Sequence, residues 1–180
     1  MIILGIDPGS LVTGYGVISN QNRIYKMLDV GVIKNNPASN MSERLNLIYT
    51  DLKKIIKKFN PTEIAIETAF YGKNVQSALR IGEVRGVLLL IAAQSNLPIF
   101  EYSPRSIKKA VTGNGNATKH QIQFIMSKTF GMKTLPKYFD STDALAIALC
   151  HSHRTSNTKK VFKDWKSYIQ EHPEKILKRN

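Results

Sequence analysis

The chain lacks several features that mark secreted and membrane proteins. Its single cysteine, Cys150, excludes an internal disulfide, and its amino terminus has neither a basic leader nor a cleavage site. The longest apolar run, Val87 to Ala93, is far shorter than the roughly 20 residues that a membrane-spanning helix needs. These absences predict a cytoplasmic protein with no membrane segment.

Acidic residues are also scarce. The 180 residues include 13 Asp and Glu against 26 Lys and Arg, which gives a net charge of +13 at pH 7. Such an imbalance costs self-repulsion and is typical of proteins that bind a polyanion, and nucleic acid is the favoured one here. A chain of this length with 42% hydrophobic residues suffices for one compact domain and is too short for two ordinary ones.

The chain divides into a long regular part and a basic tail. No repeat, low-complexity tract or flexible linker interrupts residues 1–153, which alternate between predicted strands and helices. Residues 154–180 carry eight Lys or Arg against three acids, with only scattered apolar residues. We therefore predict one domain over 1–153 and a basic C-terminal tail over 154–180, either a short amphipathic helix or a solvated arm.

The hydrophobic periodicity predicts five strands and five helices. The strands cover 2–6, 13–19, 27–34, 63–67 and 98–102, and the helices cover 40–59, 74–95, 103–113, 118–130 and 141–153. The first three strands follow one another across short turns, which predicts an antiparallel meander. Asn40 and Glu43 have the spacing of a capping box at the start of the first helix. The half of the second helix between Val87 and Ala93 is apolar nearly all round and is predicted to be buried.

Two acidic residues end strands that should be parallel neighbours. Asp7 ends the first strand before the turn Pro8-Gly9, and Glu67 ends the fourth, which follows a crossover helix. Sites in open α/β sheets lie beyond the carboxyl ends of parallel strands, so we expect the two carboxylates to meet. For either residue alone, a solvated acid at a strand end is the alternative.

Asp140 and Asp143 form a second acidic pair, at the start of the last helix. Their spacing places them on one helix face, where they could act as caps or as ligands. A chain poor in acids thus has four of them at the ends of core elements that could converge. Oxygen ligands without cysteine or paired histidine suit Mg²⁺ or Mn²⁺, and two such ions can drive phosphodiester hydrolysis.

Six groups of short motifs occur in a fixed order across residues 1–153. They are Gly5-Ile-Asp-Pro-Gly-Ser10 with Thr13-Gly-Tyr-Gly-Val17, Ala65-Ile-Glu67, Ser77-Ala-Leu79 with Arg85-Gly86, Pro104-Arg105 with Lys108, Gly113 to Gly115, and Asp140-x-x-Asp143-Ala-Leu-Ala146. Each motif is weak alone, but the ordered set closely resembles the bacterial RuvC Holliday junction resolvases. The resemblance implies an α/β, ribonuclease H-like fold, which is a mixed five-stranded sheet with helices on both faces.

The resemblance also implies an activity and its partners. Members of this family are homodimers that cut two opposed strands of a four-way DNA junction by symmetric nicking, in recombination and repair. Two Mg²⁺ ions per site, for which Mn²⁺ can substitute, support a hydrolysis that leaves 5′-phosphate and 3′-hydroxyl ends. Branch-migration proteins of the RuvA and RuvB type are the implied protein partners.

The family's functional residues transfer to named positions of this chain. The implied catalytic and metal-binding acids are Asp7, Glu67, Asp140 and Asp143. The implied basic residues of catalysis or phosphate contact are Lys108 and Lys119, each of which is otherwise a solvated helix lysine. The implied DNA contacts also include Phe70, which would stack at the junction centre, and Lys73 and Arg80. Tyr71 departs from the expected pattern, and its role stays open.

Three other functions are considered for this sequence. An actin-like ATPase shares the strand-turn-strand motif, but the chain lacks the second half that would close on a nucleotide. A noncatalytic nucleic-acid-binding module could keep the ribonuclease H-like fold without its chemistry. A related nuclease could act on RNA or on simple duplex ends, which composition alone does not distinguish.

Overall fold

The computed structural model describes residues 1–68 and 75–156, which form a five-stranded sheet and five helices. The strands are β1 (Ile2–Asp7), β2 (Val12–Gln21), β3 (Ile24–Lys34), β4 (Glu63–Glu67) and β5 (Ile99–Tyr102). The helices are α1 (Met41–Phe59), α2 (Val75–Gln94), α3 (Pro104–Thr112), α4 (Lys119–Thr129) and α5 (Phe139–Ser156). Every predicted element is present, with bounds that differ by a few residues.

The sheet is mixed, with strand order β3-β2-β1-β4-β5. β1, β2 and β3 are antiparallel neighbours, which confirms the predicted meander, while β4 lies parallel to both β1 and β5. The crossover through α1 brings β4 beside β1 because a parallel connection needs a helix to return the chain to the same edge. Asp7 and Glu67 therefore end adjacent strands at the same edge.

Helices cover both faces of the sheet, as predicted. On one face α1 and α2 pack against a core that includes Leu4, Ile66 and Leu88. On the other face α3, α4 and α5 enclose a second core with Ile3, Met126 and Leu145. All residues from 144 to 150 of α5 are buried, so this helix is the central element of its layer.

Glycines let α5 lie unusually close to the sheet. A Cβ added at Gly5 would be 2.2 Å from the carbonyl oxygen of Ala144, and one added at Gly14 would be 2.0 Å from that of Asp140. Gly16, paired with Gly5 across β1 and β2, faces Leu145 in the same way. The small residues Ala144 and Ala148 complete this contact from the helix side. Backbone thus packs against backbone at the centre of the fold.

A buried polar network fixes the far end of α5. His151, to which the sequence assigned no role, is fully buried, and its two ring nitrogens lie 2.5 Å from the Tyr102 hydroxyl and 2.5 Å from a Glu63 carboxylate oxygen. The Phe100 ring packs against the imidazole at a centroid distance of 4.5 Å. Both ring nitrogens therefore have partners, as a buried imidazole requires.

One prediction about burial is wrong for the single chain. The apolar half of α2 was predicted to be buried, yet Leu90 is 52% exposed and Ala93 is also exposed. The helix buries only one face, which includes Val84, Leu88 and Ile91, because α1 and the sheet cover it from one side. The opposite face of α2 has no covering element among the described residues.

The predicted boundary at residue 153 falls inside α5, which continues to Ser156. Residues 157–180, the greater part of the predicted basic tail, lie outside the described residues, as do Phe70, Tyr71 and Lys73. No helix in the described part of the chain is both long and apolar enough to span a membrane.

We expect Gly5→Ala to destabilise the protein by about 3 kcal/mol, because overpacking against a rigid backbone costs roughly this much. The added methyl would meet the Ala144 carbonyl, which the helix cannot move without losing its contact with β2. Urea unfolding followed by circular dichroism measures the change. A free energy of unfolding within 0.5 kcal/mol of the wild-type value would contradict the close packing described here.

Candidate active site

Acidic side chains from three elements converge at the carboxyl edge of the parallel strands. Asp7 ends β1, Glu67 ends β4, and Asp143 lies in the first turns of α5. All three line one cavity of about 190 Å³. The expected meeting of Asp7 and Glu67 is confirmed, and Asp143 of the last helix joins them, whereas Asp140 does not line this cavity.

The position of the α5 acids follows from the glycine contact. Gly14 is paired in register with Asp7 across β1 and β2, and its missing side chain leaves room for the backbone of Asp140. The start of α5 therefore lies directly over the end of β1. Asp140 itself lines a neighbouring groove of about 480 Å³ together with the turn after Asp7.

Burial and mutual repulsion perturb the carboxylates. Burial, followed by the negative charges of Glu67, Asp143 and Asp140, raises the pKa of Asp7 to about 7. Burial also raises the pKa of Glu67 and that of Asp143, and neighbouring acids add to both shifts. Clusters of carboxylates with raised pKa values are typical of sites that bind a cation or transfer a proton.

Two lysines that line the cavity limit this repulsion. The Lys119 ammonium, at the start of α4, lies 3.6 Å from a carboxylate oxygen of Asp143. Lys108 of α3 lines the same cavity, and its charge lowers the pKa of Glu67 and of Asp143. The structure therefore brings both predicted basic residues to the predicted acids.

Arg80 lies outside the cavity, in the groove that also holds Asp140. This groove runs between the turn at residues 8–12 and the start of α2, where Arg80 and Gln76 form one wall. The same two side chains also line a further cavity toward Arg44. The predicted DNA contact at Arg80 is thus adjacent to the acids and exposed.

The apolar wall of the cavity was not predicted from the sequence. Pro104, Ile107 and Ile122 line it together with the acids and contribute to their burial. The amphipathic pattern of the two short helices was a signal for one buried face, but it could not show that this face borders the carboxylates. Only the packing of α3 and α4 against α5 decides that.

The described acids do not form a complete metal coordination sphere in this arrangement. Within residues 1–68 and 75–156, no three Asp, Glu, His or Cys side chains form a group close enough to hold one ion. The chemistry of the donors nevertheless fits a hard divalent cation, because every candidate ligand is a carboxylate oxygen. A cation among them would also offset the repulsion that raises their pKa values.

Comparison with known proteins identifies relatives across the whole chain. The family model described as "Crossover junction endodeoxyribonuclease RuvC" matches residues 3–151. A protein of that description from Chlorobium phaeovibrioides is 41% identical, covering 98% of this chain and 100% of its own length. Another, from Alkaliphilus oremlandii, is 45% identical over 91% of this chain and 99% of its own length.

Solved structures show the same architecture. The structure "T. thermophilus RuvC in complex with Holliday junction substrate" matches with a TM-score of 0.81 and 29% identity, over 86% of this chain and 94% of that one. The yeast mitochondrial Holliday junction resolvase Ydc2 matches with a TM-score of 0.60 at 17% identity, over 82% of this chain and 76% of that one, and shows the fold alone. The ribonuclease H-like fold that the motifs implied is confirmed.

Because the folded-state pKa of Asp7 is about 7 against an ordinary 3.8, its ionisation opposes folding. The free-energy cost of ionising Asp7 in the folded protein is absent below pH 4, grows between pH 4 and 7, and is complete above pH 7. Asp7→Asn in EDTA should therefore stabilise the protein by up to about 4 kcal/mol at pH 8 and by clearly less at pH 5.

Urea unfolding at the two pH values measures this difference. Asp51→Asn, which removes a carboxylate paired with Lys54 on α1, serves as the control and should show no such pH dependence. An equal effect of Asp7→Asn at both pH values would show that Asp7 is not held in a repulsive, buried environment.

Proposed function

Since the chain belongs to the RuvC family of crossover junction endodeoxyribonucleases, we propose that it resolves four-way DNA junctions by paired, symmetric nicking. The observation that carries this proposal is the cavity at the carboxyl edge of β1 and β4, where Asp7, Glu67 and Asp143 meet with Asp140 alongside. The net charge of +13 supplies attraction for the DNA backbone.

The four acids would hold two Mg²⁺ ions, with Mn²⁺ as a substitute. When bound, such a pair stabilises both the attacking and the leaving oxygen of a phosphodiester displacement. The chain's own contribution is to hold the carboxylates at fixed strand and helix ends, and to cover one side of the cavity with Ile107 and Ile122. A partly apolar wall strengthens the electrostatic interactions inside the cavity.

Lys119 and Lys108 are the basic residues of this site that contact the DNA. The Lys119 ammonium, which lies 3.6 Å from a carboxylate oxygen of Asp143, would be free to contact the scissile phosphate if divalent cations neutralised the acids. Lys108 lines the same cavity and would stabilise charge on the same phosphate. Hydrolysis at this site leaves a 5′-phosphate and a 3′-hydroxyl, and it needs no covalent enzyme intermediate.

Contacts outside the cavity would position the junction. Arg80 extends the basic surface along the groove beside Asp140. We also propose that Phe70 stacks on bases at the junction centre, where one stacking contact is worth about 1 to 3 kcal/mol, and that Lys73 contacts the nearby backbone. Branch-migration proteins of the RuvA and RuvB type complete the proposed set of partners.

A homodimer is supported by the uncovered face of α2. Five of the exposed residues of this helix are apolar or glycine and recur at helical spacing, namely Val75, Leu79, Gly82, Gly86 and Leu90. They form one stripe opposite the buried face, and open space surrounds both glycines. An apolar stripe with small residues allows two helices to approach closely, and a two-fold dimer would present two active sites to a nearly two-fold junction.

The central test is cleavage of a synthetic four-way junction beside linear duplexes of the same arm sequences. We expect paired nicks confined to the junction with Mg²⁺ or Mn²⁺, and none in EDTA. Asp7→Asn should lower the cleavage rate by at least about 10³-fold while junction binding stays within twofold, because binding depends on Lys and Arg.

The same assay separates the alternatives. Binding without cutting, in every metal and sequence tried, would favour a noncatalytic DNA-binding module on this fold. Equal cutting of linear duplex or RNA would instead indicate a nuclease of broader substrate range. Cleavage by Asp7→Asn at the wild-type rate would exclude Asp7 as a catalytic residue.

We expect Leu90→Glu to convert the dimer to a monomer, because a buried, unpaired carboxylate in an apolar interface costs several kcal/mol. Sedimentation velocity measures the change, and nicks should then become unpaired in the junction assay. Ile24→Glu, which changes an exposed residue at the far end of the sheet, is the matched control. A dimer that survives Leu90→Glu would exclude the α2 stripe as the interface.

A further inference from the structure

A basic cluster outside the carboxylate cavity has no assigned role. It consists of Lys34, the last residue of β3, and of Lys137 and Tyr138, which directly precede α5. We call these three residues the rim cluster. They are distant in sequence, and the fold brings them together at the edge of the sheet that carries Asp7.

The three side chains contact one another closely. The Lys34 ammonium donates a hydrogen bond to the Tyr138 hydroxyl and lies 4.0 Å from the centre of the Tyr138 ring. The Lys137 ammonium lies 5.8 Å from the same ring centre. Because the hydroxyl accepts from Lys34, it keeps its own O–H to donate, and each ammonium also keeps free N–H groups. The cluster thus presents several donors and two positive charges.

No carboxylate neutralises these charges in the described part of the chain. Other exposed lysines do have such partners there, since Lys54 pairs with Asp51 and Lys58 with Asp29. Among residues 1–68 and 75–156, neither Lys34 nor Lys137 forms an ion pair. Two like charges held near one ring repel each other, and an anion bound between them would relieve that repulsion.

The segment that carries Lys137 and Tyr138 is fixed to the helices of the active site. The Gln123 side chain, on α4, donates to the carbonyl of Pro136 at 2.8 Å. The Ser141 hydroxyl, on α5, donates to the carbonyl of Tyr138 at 2.7 Å. The cluster therefore keeps a defined position relative to Asp140, which follows Tyr138 by two residues. A fixed position lowers the entropic cost of binding a ligand.

The sheet gives the distance between the cluster and the cavity. β3 is separated from β1 by β2, and both β1 and β3 end at the same edge, at Asp7 and Lys34. Two strand spacings amount to about 10 Å, and Lys34 lies two residues beyond Val32, the residue of β3 that is level with Asp7, so the two positions are about 12 Å apart. Neighbouring phosphates of one DNA strand are about 6 to 7 Å apart, more than the axial rise of about 3.4 Å, because the strand winds around the helix axis. The distance therefore corresponds to about two nucleotides.

We propose that the rim cluster is a second phosphate-contact site for the DNA strand that is cut, holding a backbone phosphate about two nucleotides from the scissile one. This inference rests on the proposed function and deepens it. The expected ligand is the phosphodiester backbone, because lysines bind phosphates as point charges without reading sequence. Such a contact fixes the register of the strand across the carboxylates.

The first test is the salt dependence of junction binding, measured in EDTA by fluorescence anisotropy. Lys34→Ala with Lys137→Ala should weaken binding by about 10- to 60-fold at 0.1 M salt. The negative slope of the logarithm of the association constant against the logarithm of the salt concentration should become shallower by about one to two. The control is Lys26→Ala with Lys54→Ala, which removes the same charge from the opposite end of β3 and from α1. Thermal unfolding checks that each variant is folded.

The second test locates the contact by replacing single phosphates with neutral methylphosphonates, from four nucleotides before the scissile phosphate to four after it. With wild-type protein, one substitution about two nucleotides away should weaken binding as much as the lysine variant does. Combined with that variant, the same substitution should have no further effect, because the two changes remove one interaction. Tyr138→Phe, which keeps the ring, should give a smaller loss at the same position.

The outcomes distinguish this inference from the proposed function. If the lysine variant matches its control in affinity and slope, or if its loss adds fully to that of every methylphosphonate, the rim cluster is not a phosphate-contact site. Wild-type junction cleavage would still support the proposed function in that case. If the wild-type protein does not cut but its junction binding depends on the two lysines and on one backbone phosphate, found by moving the methylphosphonate outward from the junction centre, the rim cluster is a phosphate contact and the proposed function fails.

Discussion

The close contact between α5 and the first two strands is the constraint on which the rest of the structure depends. Gly5, Gly14 and Gly16 remove the side chains that would hold the helix away, and Ala144 and Ala148 do so from the other side. The helix then lies at backbone contact distance from the sheet. Because Asp140 and Asp143 lie in its first turns, this one contact brings two acids close to the strand ends that carry the other two.

Opposite electrostatic environments lie side by side in this protein. The surface as a whole is strongly positive, with a net charge of +13, while the cavity concentrates acids whose burial raises their pKa values. A uniformly positive protein would bind DNA without cutting it, and an acidic cavity alone would repel the backbone. For the proposed function, the combination would attract a polyanion and offer carboxylates to a cation at one point on the surface, where Lys108 and Lys119 line the same cavity as three of the acids.

Basic groups also lie outside the cavity, in two places. The rim cluster is at the end of β3, beyond β2, and Arg80 lines a groove together with Asp140 and the turn that follows Asp7. For the proposed function, a DNA strand held across the carboxylates would have these further positive charges within reach. Leu79 of the apolar stripe of α2 lines the adjoining cavity with Arg80, so a symmetric partner bound to that stripe would lie beside this basic surface.

Local sequence patterns determined most of the fold and the identity of the acids. Alternating and helical periodicity predicted all ten elements, and the position of Asp7 and Glu67 at the ends of parallel strands predicted their meeting, because strand direction and connection follow from short-range rules. Tertiary structure decided what depends on contacts between distant segments. Examples are the apolar wall at Ile107 and Ile122, the partners of buried His151, the exposed stripe of α2 and the joining of Lys34 to Tyr138. Periodicity shows which face of an element is apolar, but only packing decides which element covers that face and which surface charges become neighbours.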